Sequence, residues 1–125
     1  MIVRAYQGND EDGIQFTDIA SKEWGDDDDV YALECLRTCD AFTVIDDKGY
    51  KNIVCFVPQE CGSEYGFFMK DKRSSSLVMK HFATILEKRE RPVWTLSQTG
   101  QDKMHKFLKM VKICNCEDKE LWVRL

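Results

Sequence analysis

The sequence predicts one small α/β domain. Short β-branched and aromatic runs of strand length are separated by longer stretches whose apolar residues recur at helical spacing. The chain has 125 residues, enough for one core. Apolar residues make up 43% and Phe, Trp and Tyr 11%, so large side chains are available to fill that core.

Ile2 to Gln7 reads as a strand, left through Gly8-Asn9-Asp10. Ile14, Phe16, Ile19, Ala20 and Trp24 then put one apolar face on a helix over residues 11–23. Gly25 and Asp26 to Asp29 break the pattern. Asp29 suits the start of a second helix, because its carboxylate accepts orphan backbone N–H groups. Val30, Leu33 and Leu36 carry that helix toward Cys39.

Ala41 to Ile45 and Asn52 to Val57 flank Asp46-Asp47-Lys48-Gly49 and read as a hairpin, ended by Pro58. Tyr65 to Met69 is the next strand. Ser74, Ser75 and Ser76 are helix-start residues. Behind them Leu77, Val78, His81, Phe82, Ile85 and Leu86 form an apolar stripe that Pro92 stops. Val93 to Leu96 is a short strand. Thr99-Gly100 opens a last helix with Met104, Phe107, Leu108 and Val111 at i, i+3, i+4 and i+7. Ile113 to Cys116 and Leu121 to Leu125 make a closing hairpin. The predicted order is β-α-α-β-β-β-α-β-α-β-β, with no repeat or linker, so residues 1–125 are expected to be a single domain.

Net charge is −4, with 22 acidic and 18 basic side chains. General nucleic-acid binders carry a basic excess, so nucleic acid is an unexpected partner. No apolar run approaches the roughly 18 residues of a membrane span, and the N-terminus lacks a signal-peptide pattern. A cytoplasmic protein follows as the expectation, with its six cysteines reduced. Lys and Arg gather over residues 70–91 and 103–112, which permits a local anion site in the second half.

The element order, with Arg4 in the first strand and Asp12 opening the first helix, resembles the GNAT (N-acetyltransferase) fold. The resemblance implies a mixed, mostly antiparallel central sheet with helices on both faces. It also implies two chemical features. One is a glycine-bearing loop after the fourth strand, whose backbone N–H groups approach the diphosphate of acetyl-CoA. The matching stretch here is Lys70-Asp71-Lys72-Arg73-Ser74-Ser75-Ser76, which has no glycine. Lys70, Lys72, Arg73, Ser74, Ser75 and Ser76 either hold an anion by charge-assisted bonds or form an ordinary capped helix entry. The other feature is a tyrosine in the penultimate helix that protonates the departing thiolate. Leu108 takes its place and cannot donate a proton, and Lys112 takes the place of a family glycine.

These departures lead to the expectation of no cofactor. If acetyl transfer survives, acetyl-CoA is the cofactor and residues 70–76 its cradle. A gap between the fourth and fifth strands would receive the pantetheine arm, and a gap filled by Trp94, Phe68 or Phe107 would favour a binding role. Val93-Trp94, Ser97, Thr99 and Lys106-Phe107-Leu108-Lys109 look like the C-terminal half of GNAT-like internal virion and head-assembly proteins of short-tailed phages. That narrower resemblance implies a protein partner, either a virion component or a host protein, and a location in the host cytoplasm or the virion.

Other constellations are weaker. Cys35 and Cys39 share a helix face, and Cys114 and Cys116 share a strand face. Together they would make a four-thiolate zinc site, although neither spacing is a Cys-x-x-Cys knuckle; buried thiols are the alternative. His81 lies on the apolar stripe. His105 is expected to be exposed beside a face defined by Met104 and Phe107. Residues 9–13 lack the ligand pattern of a calcium loop. Asp26 to Asp29 read as a solvated helix start or a dock for a basic partner. Ser97 sits in no nucleophile motif.

Overall fold

A computed structural model describes residues 1–6, 34–98 and 100–125. The helix expected over residues 11–23, Asp29 with the start of the second helix, both acidic segments, Gln7 and Thr99 lie outside the described residues. Residues 34–38 are helical, as expected for the end of the second helix.

Seven strands form one sheet. They are β1 (Ile2–Ala5), β2 (Asp40–Ile45), β3 (Lys51–Pro58), β4 (Glu64–Met69), β5 (Val93–Gln98), β6 (Val111–Cys116) and β7 (Lys119–Arg124), in the spatial order β1-β2-β3-β4-β5-β7-β6. Every pairing is antiparallel except β4 with β5. The connection between those two parallel strands carries helix α1 (Val78–Glu87), as a crossover must. Helix α2 (Asp102–Phe107) joins β5 to β6.

Strand β3 is central and buried on both faces from Asn52 to Phe56, so its apolar run is continuous rather than alternating. Val54 and Phe56 face one core with Val44, Phe82, Leu86, Val93 and Trp122. Ile53 and Cys55 face the other, with Cys35, Leu36, Ala41, Phe67 and Met69. Helix α1 covers the first core through Val78, Phe82, Ile85 and Leu86, four residues of its predicted stripe. Phe82 is fully buried, and burying a side chain of that size contributes about 1.5–3 kcal/mol.

Several boundaries differ from the expectation. Pro58 ends β3 from inside, paired with Glu64, while the ladder donor passes to Gln59, whose N–H bonds the Ser63 carbonyl at 2.9 Å. Ser75 serves the start of α1 with its side chain, its Oγ accepting the Leu77 N–H at 3.2 Å. The N-cap of the helix is Leu77 with no side-chain bond, and tight turns satisfy the first donors: Val78 N–H to Ser75 O at 3.2 Å and Met79 N–H to Ser76 O at 3.1 Å.

Helix α2 stops before Val111. Lys109 adopts φ 60°, the Met110 N–H reaches the His105 carbonyl at 2.9 Å, and the Lys109 N–H reaches Lys106 O at 3.0 Å. That is a Schellman ending with lysine in the left-handed position glycine usually fills. The chain turns there, so Val111 begins β6 and is 63% exposed, and Phe107 is 48% exposed. The buried side chains around this helix end are His105, Leu108 and Met110.

Candidate functional site

The parallel strands β4 and β5 pair only at Glu64 with Val93 and Tyr65 with Trp94. Beyond that point they diverge, so Gly66 to Met69 and Thr95 to Gln98 run apart. Gly66 sits at the branch. A Cβ there would lie 2.8 Å from Val93 Cγ1, so glycine is what lets the strands meet at their base. The Glu64 N–H bonds the Pro92 carbonyl at 2.8 Å, and Arg89 clamps the base. Its Nε lies 2.9 Å from Glu64 Oε1 and its Nη2 3.1 Å from Asp40 Oδ2, with the guanidinium 4.4 Å above the Phe56 ring.

The aromatic residues that would favour a binding role by filling the gap make these contacts. Trp94 packs on Tyr65 at 4.7 Å, and Phe68 packs on Phe82 at 5.9 Å and Phe56 at 6.4 Å. Phe107 lines a separate open groove of about 350 Å³ between α1 and α2, together with Ser76, Leu77, Met79, Lys80, Lys103 and Met104.

The loop from Lys70 to Ser76 is folded onto its own acceptors. Asn52, fully buried at the start of β3, accepts the Asp71 N–H at 2.7 Å, and its Oδ1 lies 2.9 Å from Ser74 Oγ. The Asp71 carboxylate accepts the Arg73 N–H at 2.9 Å and both Nε and Nη2 of the same arginine, at 3.0 and 2.6 Å. The Ser74 N–H goes to Asp71 O at 3.0 Å. The Ser75 N–H goes to Asp46 Oδ2 at 3.0 Å, and Asp46 Oδ1 also accepts from Lys48 and Tyr50. Burial raises the Asp46 pKa, but the N–H groups of Ser75, Tyr50 and Lys48 outweigh it and hold the carboxyl below its usual range.

The six candidate residues therefore do not converge on one open anion site. Lys70 turns inward, its Nζ donating to Asp71 O at 3.2 Å and Ser74 O at 3.0 Å. Arg73 is spent on Asp71 and on the Tyr50 ring, 4.3 Å away. Ser74 is buried, Ser75 is half-buried, and Lys72 is exposed. Ser76 reaches the α1–α2 groove, in the company of Lys80 and Lys103. Neither lysine stands out in the sequence, because 23 positions separate them and only the packing of α1 beside α2 unites them. Asp46 and Asn52 read in the sequence as turn and strand-start residues. Asn52, a polar residue opening a run of otherwise apolar side chains, was the available signal for the buried network.

Leu108, in the position of the family's tyrosine, is 1% exposed within the core. Lys112 pairs with Glu120 at 2.8 Å. His81 is half-buried on α1. His105 is 1% exposed, contrary to the exposed placement expected, because the early helix ending sets the buried face. Its ring stacks on Trp122 at 4.7 Å and 11°, and Nδ1 donates to the Gln101 carbonyl at 2.7 Å. Burial lowers its pKa; the Gln101 carbonyl and the charges of Glu120 and Asp102 oppose that.

The four candidate zinc ligands are not brought together. Cys35 and Cys39 pack with Cys55 under β2 and β3. Cys114 and Cys116 stand on β6, beyond β4, β5 and β7. Among the described residues no cluster of three or more His, Cys, Asp or Glu side chains is placed to hold a metal. No helix among them is long and apolar enough to cross a membrane.

No protein-family model matches this sequence, and no curated protein matches it. Solved structures do match. An acetyltransferase of the GNAT family from Bacillus cereus ATCC 10987 has a TM-score of 0.69 at 9% identity, over 99% of this chain and 97% of that one. An aminoglycoside 6'-N-acetyltransferase from Enterococcus faecium gives 0.69 at 10% identity, over 98% and 94%. A spermidine N-acetyltransferase chimera from Vibrio cholerae and hSSAT gives 0.65 at 9%, over 98% and 94%. With the mostly antiparallel sheet and diverging β4 and β5 already in view, these likenesses show that the chain has the GNAT fold.

Proposed function

We propose that this GNAT-fold chain has lost efficient acetyl transfer and acts by binding a protein, either a phage virion component or a host protein. The observation that carries the reading is that four backbone donors of the β4–α1 loop are taken by acceptors of the chain itself. The N–H groups of Asp71, Arg73, Ser74 and Ser75 donate to acceptors of the chain itself, two of them to carboxylates. A diphosphate would have to displace Asp46 and Asp71 from those donors and then sit beside them, at a cost in like-charge repulsion. Leu108 adds a second reason, since it offers no proton to a thiolate. The phage assignment rests on the C-terminal sequence resemblance, and a location in the virion or host cytoplasm goes with it.

Calorimetry of the full chain with acetyl-CoA tests the loss of the cofactor. No measurable heat of binding is expected. A micromolar dissociation constant, about −8 kcal/mol, overturns it.

One observation favours a second reading, a divergent acetyl-CoA-dependent N-acetyltransferase acting on an amine. The β4–β5 divergence is retained, and Lys80 and Lys103 border the groove between α1 and α2. Labelled acetyl-CoA incubated with a lysate and the protein would then transfer label to amines. Transfer no greater than in lysate alone rejects this reading.

A further inference from the structure

Among the described residues strand β6 ends the sheet and pairs on one side only, with β7. All six of its residues are exposed, including Val111 at 63% and Ile113 at 58%. Natural edge strands are usually blunted by proline, by inward charge or by a covering element. This one has no proline; Lys112 and a bulge between Lys112 and Cys114 blunt its start, while Cys114 to Cys116 is regular and exposed. Cys114 and Cys116 stand opposite Leu121 and Lys119 of β7 on one face of this edge, with their Sγ atoms 3.7 Å apart.

That separation has chemical meaning. Two thiolates bound to one tetrahedral zinc-type ion, each at about 2.3 Å, are about 3.8 Å apart. The S–H···S contact that holds the two thiols at 3.7 Å thus also matches the bite of a soft divalent cation. It supplies only two of four ligands, and among the described residues nothing completes a cluster of three. An antiparallel pairing of β6 with β6 of a second copy, its two-fold axis at Asn115, supplies the rest. It sets Cys114 directly across from the partner's Cys116, and Cys116 across from the partner's Cys114. Facing Cβ atoms in such a pair lie about 4.5–5.5 Å apart. The same register brings Lys112, which pairs with Glu120 of its own chain at 2.8 Å, beside the partner's Glu117–Asp118 turn, so the lysine is shared between its own carboxylate and the partner's.

We propose that Cys114 and Cys116 are half of a four-thiolate site for a soft divalent cation of the zinc type, completed by the same pair of a second copy docked along β6. Each thiol gives up its proton on coordination, and the ion takes four sulfur ligands, two from each chain.

Cobalt(II) added to the reduced full-length chain is the probe. The result expected is a sulfur-to-cobalt charge-transfer band that saturates at one ion per two chains, displacement of cobalt by zinc, and a shift from monomer to dimer in sedimentation. C114S and C116S, each checked for an unchanged circular dichroism spectrum, are expected to lose the band and the dimer together, while C39S keeps both. The proposal is overturned by absence of the band, by one ion per chain in a monomer, by cobalt that zinc does not displace, or by a dimer that forms without metal and survives both serine variants.

Discussion

Asn52 is where the closed loop can be opened with a single substitution. Its side chain is fully buried; Oδ1 accepts the Asp71 N–H at 2.7 Å and faces Ser74 Oγ at 2.9 Å, while Nδ2 donates to Val44 O at 3.1 Å. In Asn52→Leu the branched shape is kept, two methyl groups replace the amide oxygen and nitrogen, and the polarity is lost. Ser74 keeps a partner, because its hydroxyl also lies 2.6 Å from Asp71 O. The Asp71 N–H does not, and an orphaned buried donor costs about 1–3 kcal/mol. The lost bond to Val44 adds about 1 kcal/mol, giving a destabilisation of about 2–4 kcal/mol. Urea unfolding followed by circular dichroism measures it, with Asn52→Ala as the partner variant. If hydrogen bonding dominates, leucine rescues little of the alanine loss. A leucine variant within about 0.5 kcal/mol of the parent chain would refute the reasoning, because the site would then be a matter of volume alone.

Three further outcomes are expected. Gly66→Ala forces a Cβ to 2.8 Å from Val93, a stiff and buried neighbour, and should cost about 1–3 kcal/mol; Val93→Ala should cost less in that background than alone, a coupling that a double-mutant cycle in urea reads directly. Lys109→Gly relieves a left-handed lysine at the end of α2 and should raise stability by about 0.5–1 kcal/mol in the same assay, since the exposed ion pair it gives up, 3.7 Å to Glu87, is worth little. His105, its pKa lowered mainly by burial, stays neutral in the fold while the unfolded chain takes up a proton near pH 6.5, so its stabilising contribution is complete above about pH 6.5 and falls as pH drops below that value; a His105→Gln variant should lose this slope in pH-dependent urea titrations.

The order of strands and helices was legible because each core face writes its own period into the sequence. Val78, Phe82, Ile85 and Leu86 mark α1, and the unbroken run from Ile53 to Phe56 marks a strand buried on both sides. The candidate site was less legible because its bonds are long-range. Asp46 meets Ser75 across 29 positions and Asn52 meets Asp71 across 19, and no local pattern announces either. The last helix was misjudged for a local reason. Met104, Phe107, Leu108 and Val111 fit one stripe only if the helix continues, whereas Lys109 turns left-handed and resets the phase, leaving His105 inside and Phe107 outside. The four cysteines form two pairs that each share a helix or strand face, but the sheet order sets three strands between β3 and β6.

Amide resonances of Asp71, Arg73, Ser74 and Ser75, followed by NMR as coenzyme A is added to saturating concentration, bear on the central claim most directly. The account predicts that these four N–H groups exchange slowly with solvent and keep their chemical shifts throughout. Saturable shifts at all four, with their exchange slowed further by the ligand, would mean that the loop releases its own acceptors for a diphosphate, and the non-catalytic reading would be wrong.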